Sequence, residues 1–238
     1  MVSVRNAGEA AQAVMGGADI VDAKDPAGGA ITPVSPAELE AIRAAVPTDH
    51  PLSAALGDVA TTLQVHQAFG AVSVPLGFVK LGFRGMRDQV QILKLLGDAV
   101  ERAMALPGCP AVIAVAYADY QRADTLPPVD FPDLISQAGA HGLLVDTCFK
   151  DRGSLFGFLT PERLMALGKT LEREELMFAL GGSLSLNQVP MARETGARVL
   201  GVRGAACRGG REGEVDDVLV RQLAEAVRSP GISRVVIR

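Results

Sequence analysis

Lysine is the scarce cation of this chain: five lysines stand against eighteen arginines. Lys94 and Lys169 fall in stretches with helical spacing and read as solvated side chains. The other three, Lys24, Lys80 and Lys150, fall at or just past the ends of short apolar runs, with Asp22 close in sequence to Lys24 and Asp146 close to Lys150. Arginine stays protonated, whereas a lysine amine crowded by other cations loses its proton more easily. A neutral amine can form an imine with a carbonyl substrate. Period-two alternation puts Asp22 and Lys24 on one strand face, Phe78, Lys80 and Gly82 on another, and Leu144 and Asp146 on a third. With those faces turned inward, three amines and at least one carboxylate converge. Any one of these lysines taken alone reads equally well as a snorkelling side chain, but three of the five at strand ends form a pattern.

A second chemistry is written in glycine. Gly181-Gly182-Ser183 and Gly201-Val202-Arg203-Gly204 each follow an apolar run. Glycines let backbone N–H groups approach an anion, Ser183 can donate a hydroxyl, and Arg203 can add a forked cationic contact. One such turn is an ordinary tight connection; the two together point to a phosphate, with Gly181, Gly182, Ser183, Arg203 and Gly204 as its ligands.

The elements that must position these groups are short strands alternating with amphipathic helices. Strands are expected at 2–4, 19–24, 52–56, 78–82, 111–116, 142–147, 176–180 and 198–202. Helices are expected over 8–15, 88–104, 161–172, 186–195 and 215–227. Eight β-α repeats on 238 residues favour closure into a single TIM-type (β/α)8 barrel spanning 1–238 over an open doubly wound sheet. In such a barrel the carboxyl ends of the strands form the active-site mouth, and the loops after strands seven and eight commonly hold phosphate. That is where Lys24, Lys80, Lys150 and the two glycine turns fall. The Gly- and Pro-rich segment 22–36 reads as the longest functional loop.

Other functions lose ground on composition. A net charge of −4 gives no basic footprint for nucleic acid. No run of eighteen apolar residues and no leader-like start appear, so a cytosolic protein without membrane contact is expected. Cys109, Cys148 and Cys207 lack metal-site or disulfide spacing, and His50, His66 and His141 lie before strands or on a helix, away from the mouth. No metal site is expected. Gly168-Lys169-Thr170 imitates the tail of a Walker A loop, but Arg163 stands where its first glycine is required, and no G-x-G-x-x-G occurs. No cofactor is therefore expected. Apolar faces around 90–100 and 165–171 predict a homo-oligomer.

Several motifs in order carry a resemblance over nearly the whole chain. They are Gly-Gly-Ala-Asp-Ile-Val-Asp-Ala-Lys-Asp-Pro at 16–26, Val-Lys-Leu-Gly at 79–82 and Tyr-Ala-Asp at 117–119. Asp-Thr-Cys-Phe-Lys-Asp follows at 146–151, and Gly-Val-Arg-Gly-Ala-Ala-Cys-Arg-Gly-Gly at 201–210. The chain resembles the (5-formylfuran-3-yl)methyl phosphate synthases of methanofuran biosynthesis, also called 4-HFC-P synthases. The resemblance implies a lyase that needs no metal and condenses two molecules of glyceraldehyde 3-phosphate to a phosphorylated furan aldehyde, with loss of water and one phosphate. It implies Lys24 as the Schiff-base lysine, Lys80 as the proton acceptor, and Asp146 and Lys150 as further catalytic groups. One departure stands at Arg208, where the family pattern leads one to expect lysine. A class I aldolase or phosphosugar isomerase on the same barrel is the alternative enzyme, and a phosphometabolite-binding module the alternative outside catalysis.

Overall fold

In the computed structural model, which describes residues 1–229, every expected apolar run contains a parallel strand. These are β1 (Val2–Val4), β2 (Val21–Ala23), β3 (Leu52–Asp58), β4 (Phe78–Gly82), β5 (Ala111–Tyr117), β6 (Gly142–Asp146), β7 (Met177–Leu180) and β8 (Val199–Leu200). They pair in chain order, β1 through β8. A parallel bridge between Val2 and Val202 joins the two ends, supported by Ser3 N–H donating to Val202 O at 3.0 Å, so the sheet closes as a (β/α)8 barrel. Residues 230–238 of the 1–238 barrel expected from sequence lie outside the described residues.

Helices α1 (Ala7–Met15), α2 (Pro36–Ala45), α3 (Thr62–Gly70), α4 (Gln89–Met104), α5 (Tyr120–Ala123), α6 (Phe131–Ala138), α7 (Pro161–Arg173), α8 (Val189–Glu194) and α9 (Asp217–Arg228) fill the connections. Their starts follow capping chemistry. Asn6, Ser35, Thr61, Asp88, Thr160 and Asp216 each accept a first-turn N–H with the side chain. The helix expected over 186–195 begins as a 3₁₀ turn, Leu186–Gln188, and becomes α-helical only from Val189. Pro190 dictates this, because proline fits a first turn but not a helix interior.

β5 displays the two faces of the wall. Ile113, Val115 and Tyr117 pack with Ala55, Leu144 and Ala179 in the barrel interior, while Val112, Ala114 and Ala116 pack into the larger layer beneath the helices. That is the period-two alternation of a strand buried on both sides. On α7 the apolar residues Leu164, Leu167 and Leu171 are spent on this layer; on α4, Val90 and Met104 are exposed. Among the described residues no helix is long and apolar enough to cross a membrane.

Candidate active site

Inward-pointing residues on alternate strands of such a barrel share a layer, which lets β2 and β4 meet across the β3 between them. Asp22, fully buried, accepts from Lys80 Nζ through one carboxylate oxygen and from Ser3 Oγ of β1 at 3.0 Å through the other. Lys24 sits two residues further on and so on the same face. It is 7% exposed and donates to the backbone carbonyl of Ala30 at 3.0 Å. Burial in the barrel interior brings its pKa from the ordinary 10.5 down to about 8; Asp146 opposes the shift, and Lys150 reinforces it.

Asp146 ends β6. Burial works against its carboxylate, but Lys150, Lys24 and the Thr147 N–H outweigh this and hold its pKa below the ordinary aspartate value. Lys150 Nζ lies 2.6 Å from Asp146 Oδ1, 2.6 Å from Thr147 O and 3.0 Å from Thr147 Oγ1, so its three donors are all placed. The Tyr-Ala-Asp segment supports this turn from β5. Asp119 accepts the N–H of Cys148 at 2.6 Å and of Phe149 at 3.0 Å, which fixes the backbone that carries Lys150. Burial pushes the intervening Cys148 thiol up to about 12, so it remains a packing residue, not a nucleophile.

A cavity of about 280 Å³ opens at the carboxyl ends of the strands and is lined by Lys24, Lys80, Asp146 and Lys150 together. Gly181, Gly182, Ser183 and Gly204 also line it. Gly182 takes φ +88 and Ser183 φ +55, so two consecutive left-handed residues fold this loop over the cavity. A Cβ at Gly182 would fall 3.1 Å from Leu155 Cβ and 3.2 Å from Thr147 N, a strained fit in an already unfavourable conformation.

Arg203 behaves differently from its sequence expectation. Its guanidinium forms a bidentate pair with Glu9, which lies on α1, and also donates to the carbonyls of Ser3 (3.0 Å), Arg211 (3.0 Å) and Gly213 (2.9 Å). A guanidinium has five N–H groups, and all five are engaged, leaving none for a phosphate fork. Arg203 lines the cavity with its guanidinium spent in this way, and Arg211 of the same loop, which the sequence reading missed, lines it as well. Arg211 Nη2 donates to the carbonyls of Pro26 (3.0 Å) and Gly29 (2.6 Å) and so ties the loop after β8 to the loop after β2. Arginine at a loop tip carries no sequence signal separating it from a solvated one; only the folded loops bring it inward. Arg208 pairs with Asp216, is largely exposed and stands outside the cavity, on the hairpin of β9 (Cys207–Arg208) and β10 (Glu214–Val215).

Among the described residues no group of three or more His, Cys, Asp or Glu side chains is arranged to hold a metal ion. The site instead assembles a desolvated amine, two lysine–aspartate pairs and a glycine-rich rim. This set can form an imine, shuttle protons and receive an anion.

Solved structures of similar fold include 3-hexulose-6-phosphate synthase from Salmonella typhimurium, with TM-score 0.66 and 17% identity over 95% of this chain and 96% of that one. Phosphoribosyl anthranilate isomerase from Thermotoga maritima matches with TM-score 0.63 and 14% identity over 95% and 97%. At such identities the likeness speaks for the barrel alone. Closer in sequence are two proteins named (5-formylfuran-3-yl)methyl phosphate synthase. That of Methanocaldococcus jannaschii is 34% identical over 230 residues, covering 94% of this chain and 97% of the relative. That of Methanopyrus kandleri is 36% identical over 234 residues, covering 95% and 98%. The family model described as 4-HFC-P synthase matches residues 1–224, and the chain belongs to this family of enzymes.

Proposed function

We propose that this enzyme condenses two molecules of glyceraldehyde 3-phosphate into (5-formylfuran-3-yl)methyl phosphate through an imine on Lys24, releasing one phosphate and two waters. The observation that carries the reading is the Lys24 amine. It is buried, its pKa is brought to about 8, and it shares one cavity with both lysine–aspartate pairs. At neutral pH about a tenth of such an amine is unprotonated, roughly 300 times the fraction at an ordinary lysine.

In the proposed sequence one triose phosphate is isomerised to the ketone, Lys24 adds to its carbonyl, and loss of a proton gives an enamine that attacks the second aldehyde. Lys80 lines the cavity and donates to Asp22, a pairing suited to moving protons during isomerisation and enamine formation. Asp146 balances the charge of Lys24 and Lys150, and Lys150 meets the developing negative charge of the departing phosphate. The N–H groups around Gly181, Gly182 and Gly204, the Ser183 hydroxyl and Arg211 form the anion rim. Arg203 supports that rim by fixing the loop from behind. The product suits the furan of methanofuran-type one-carbon carriers, and we place the enzyme in the cytosol.

The test is to incubate the protein with glyceraldehyde 3-phosphate while following furan aldehyde absorbance and phosphate release, with Lys24→Ala beside it. Borohydride trapping with mass mapping locates the adduct. Furan formation that depends on Lys24, with the adduct on that residue, is expected. Turnover of triose phosphate without furan returns the site to an aldolase or isomerase, and folded protein that turns over nothing returns it to a binding module.

A further inference from the structure

A reaction that joins two triose phosphates has to place two phosphate dianions, and the glycine rim beside Lys24 provides for one. On the other side of the loop after β2 lies a second cavity of about 240 Å³, lined by Gly28, Gly29, Asp58 and Arg84 among others. The two cavities share a wall. Ile31 lines both, and the neighbouring Ala30, whose carbonyl accepts from Lys24, lines the second. Behind the wall, Gly82 leaves the space that Ile31, Asp58 and Tyr117 fill. A Cβ there would fall 2.6 Å from Ile31 Cδ1, 2.4 Å from Asp58 Oδ1 and 2.6 Å from Tyr117 Oη.

Beside Asp58, this second cavity is lined by a guanidinium and by backbone N–H groups that lack acceptors. The Arg84 guanidinium lies 4.9 Å above the Phe149 ring and has no carboxylate partner among the described residues. The other cation on that ring, Arg122 at 3.9 Å, is spent on a bidentate pair with Asp151. Stacking on an aromatic face fixes the guanidinium plane and leaves its edge N–H groups free. Phe149 is itself pinned, since its N–H is held by Asp119. The N–H groups of Gly28, Gly29, Ala30 and Ile31 likewise find no acceptor among the described residues. Asp58 is the one carboxylate on this wall. Its Oδ1 is taken by the Tyr117 hydroxyl at 2.8 Å and the Arg84 backbone N–H at 3.0 Å, an arrangement that anchors Arg84 from its own main chain.

We propose that this cavity is the subsite of the second triose phosphate, with Arg84 holding that molecule's phosphate group. The assignment rests on the synthase reading above. It places the two dianions in separate cavities that meet at Ile31.

The experiment compares wild type, Arg84→Gln and Arg84→Lys in two assays: borohydride trapping of dihydroxyacetone phosphate on Lys24, which needs one substrate, and furan formation, which needs two. Arg84→Gln is expected to trap the ketone at the wild-type rate while its kcat/KM for furan formation falls about 100-fold, mostly through KM. Arg84→Lys should recover part of that loss. Unchanged furan kinetics in Arg84→Gln overturn the proposal, and so does a parallel fall of trapping and furan formation, which would place Arg84 with the first substrate or with folding. A wild-type enzyme that makes no furan refutes the synthase reading itself and takes the subsite with it.

Discussion

Replacing the Lys24 amine with the methionine thioether should make this protein more stable at neutral pH while abolishing its chemistry. The gap between the ordinary lysine value of 10.5 and about 8 in the folded protein corresponds to roughly 3 kcal/mol of penalty on the protonated amine. The unfolded chain holds this proton more tightly than the folded one. Stability is therefore lowest, with the whole penalty present, below about pH 8, and it recovers as pH climbs from about 8 toward 10.5. Lys24→Met removes the penalty but orphans the Ala30 carbonyl, at a cost of about 1 kcal/mol. The net gain at pH 7 is about 2 kcal/mol, which for a barrel of this size raises Tm by roughly 4–8 °C. At pH 10 only about 1 kcal/mol of the penalty remains, which the lost hydrogen bond offsets, so the two proteins should converge. Thermal unfolding followed by circular dichroism at pH 7 and pH 10 reads both numbers. A Lys24→Met protein less stable than wild type at pH 7, or a difference that does not shrink toward pH 10, would refute the assignment of Lys24 as a desolvated amine.

The same amine sets a kinetic expectation: the rate of borohydride-trappable adduct formation should rise tenfold per pH unit below about 8 and level off above it. Among the neighbouring charges, Asp146 does most to hold the amine protonated, so Asp146→Asn should move that midpoint lower; a midpoint that moves up contradicts the electrostatics. Arg203→Met should cost about 3 kcal/mol in urea unfolding, because it leaves buried Glu9 with only the partly exposed Arg5 as counter-charge. Unchanged stability with a raised KM for triose phosphate would return Arg203 to the phosphate rim.

The chain's own pattern determines a good deal of this protein. Eight apolar runs in alternation with helices specify the barrel and its order, since period-two strands buried on both faces have few other closed solutions. The same periodicity assigns Asp22 and Lys24, and Leu144 and Asp146, to inward faces, so the four groups named from strand ends do meet in one cavity. Strand edges are less sharply written: β2 and β8 cover only part of 19–24 and 198–202. What sequence spacing cannot encode is which donor finds which acceptor once the ring has closed. Lys80 pairs with Asp22 across an intervening strand, and Arg203, which reads as a phosphate fork, is surrounded by five acceptors drawn from both ends of the chain. Arg211 and Arg84, indistinguishable in sequence from other arginines, line cavities once the loops are folded. Residue type and period choose the face of a side chain, but desolvation and partner choice belong to the closed barrel. Those two decide which lysine amine is desolvated and which arginine is left without a carboxylate partner.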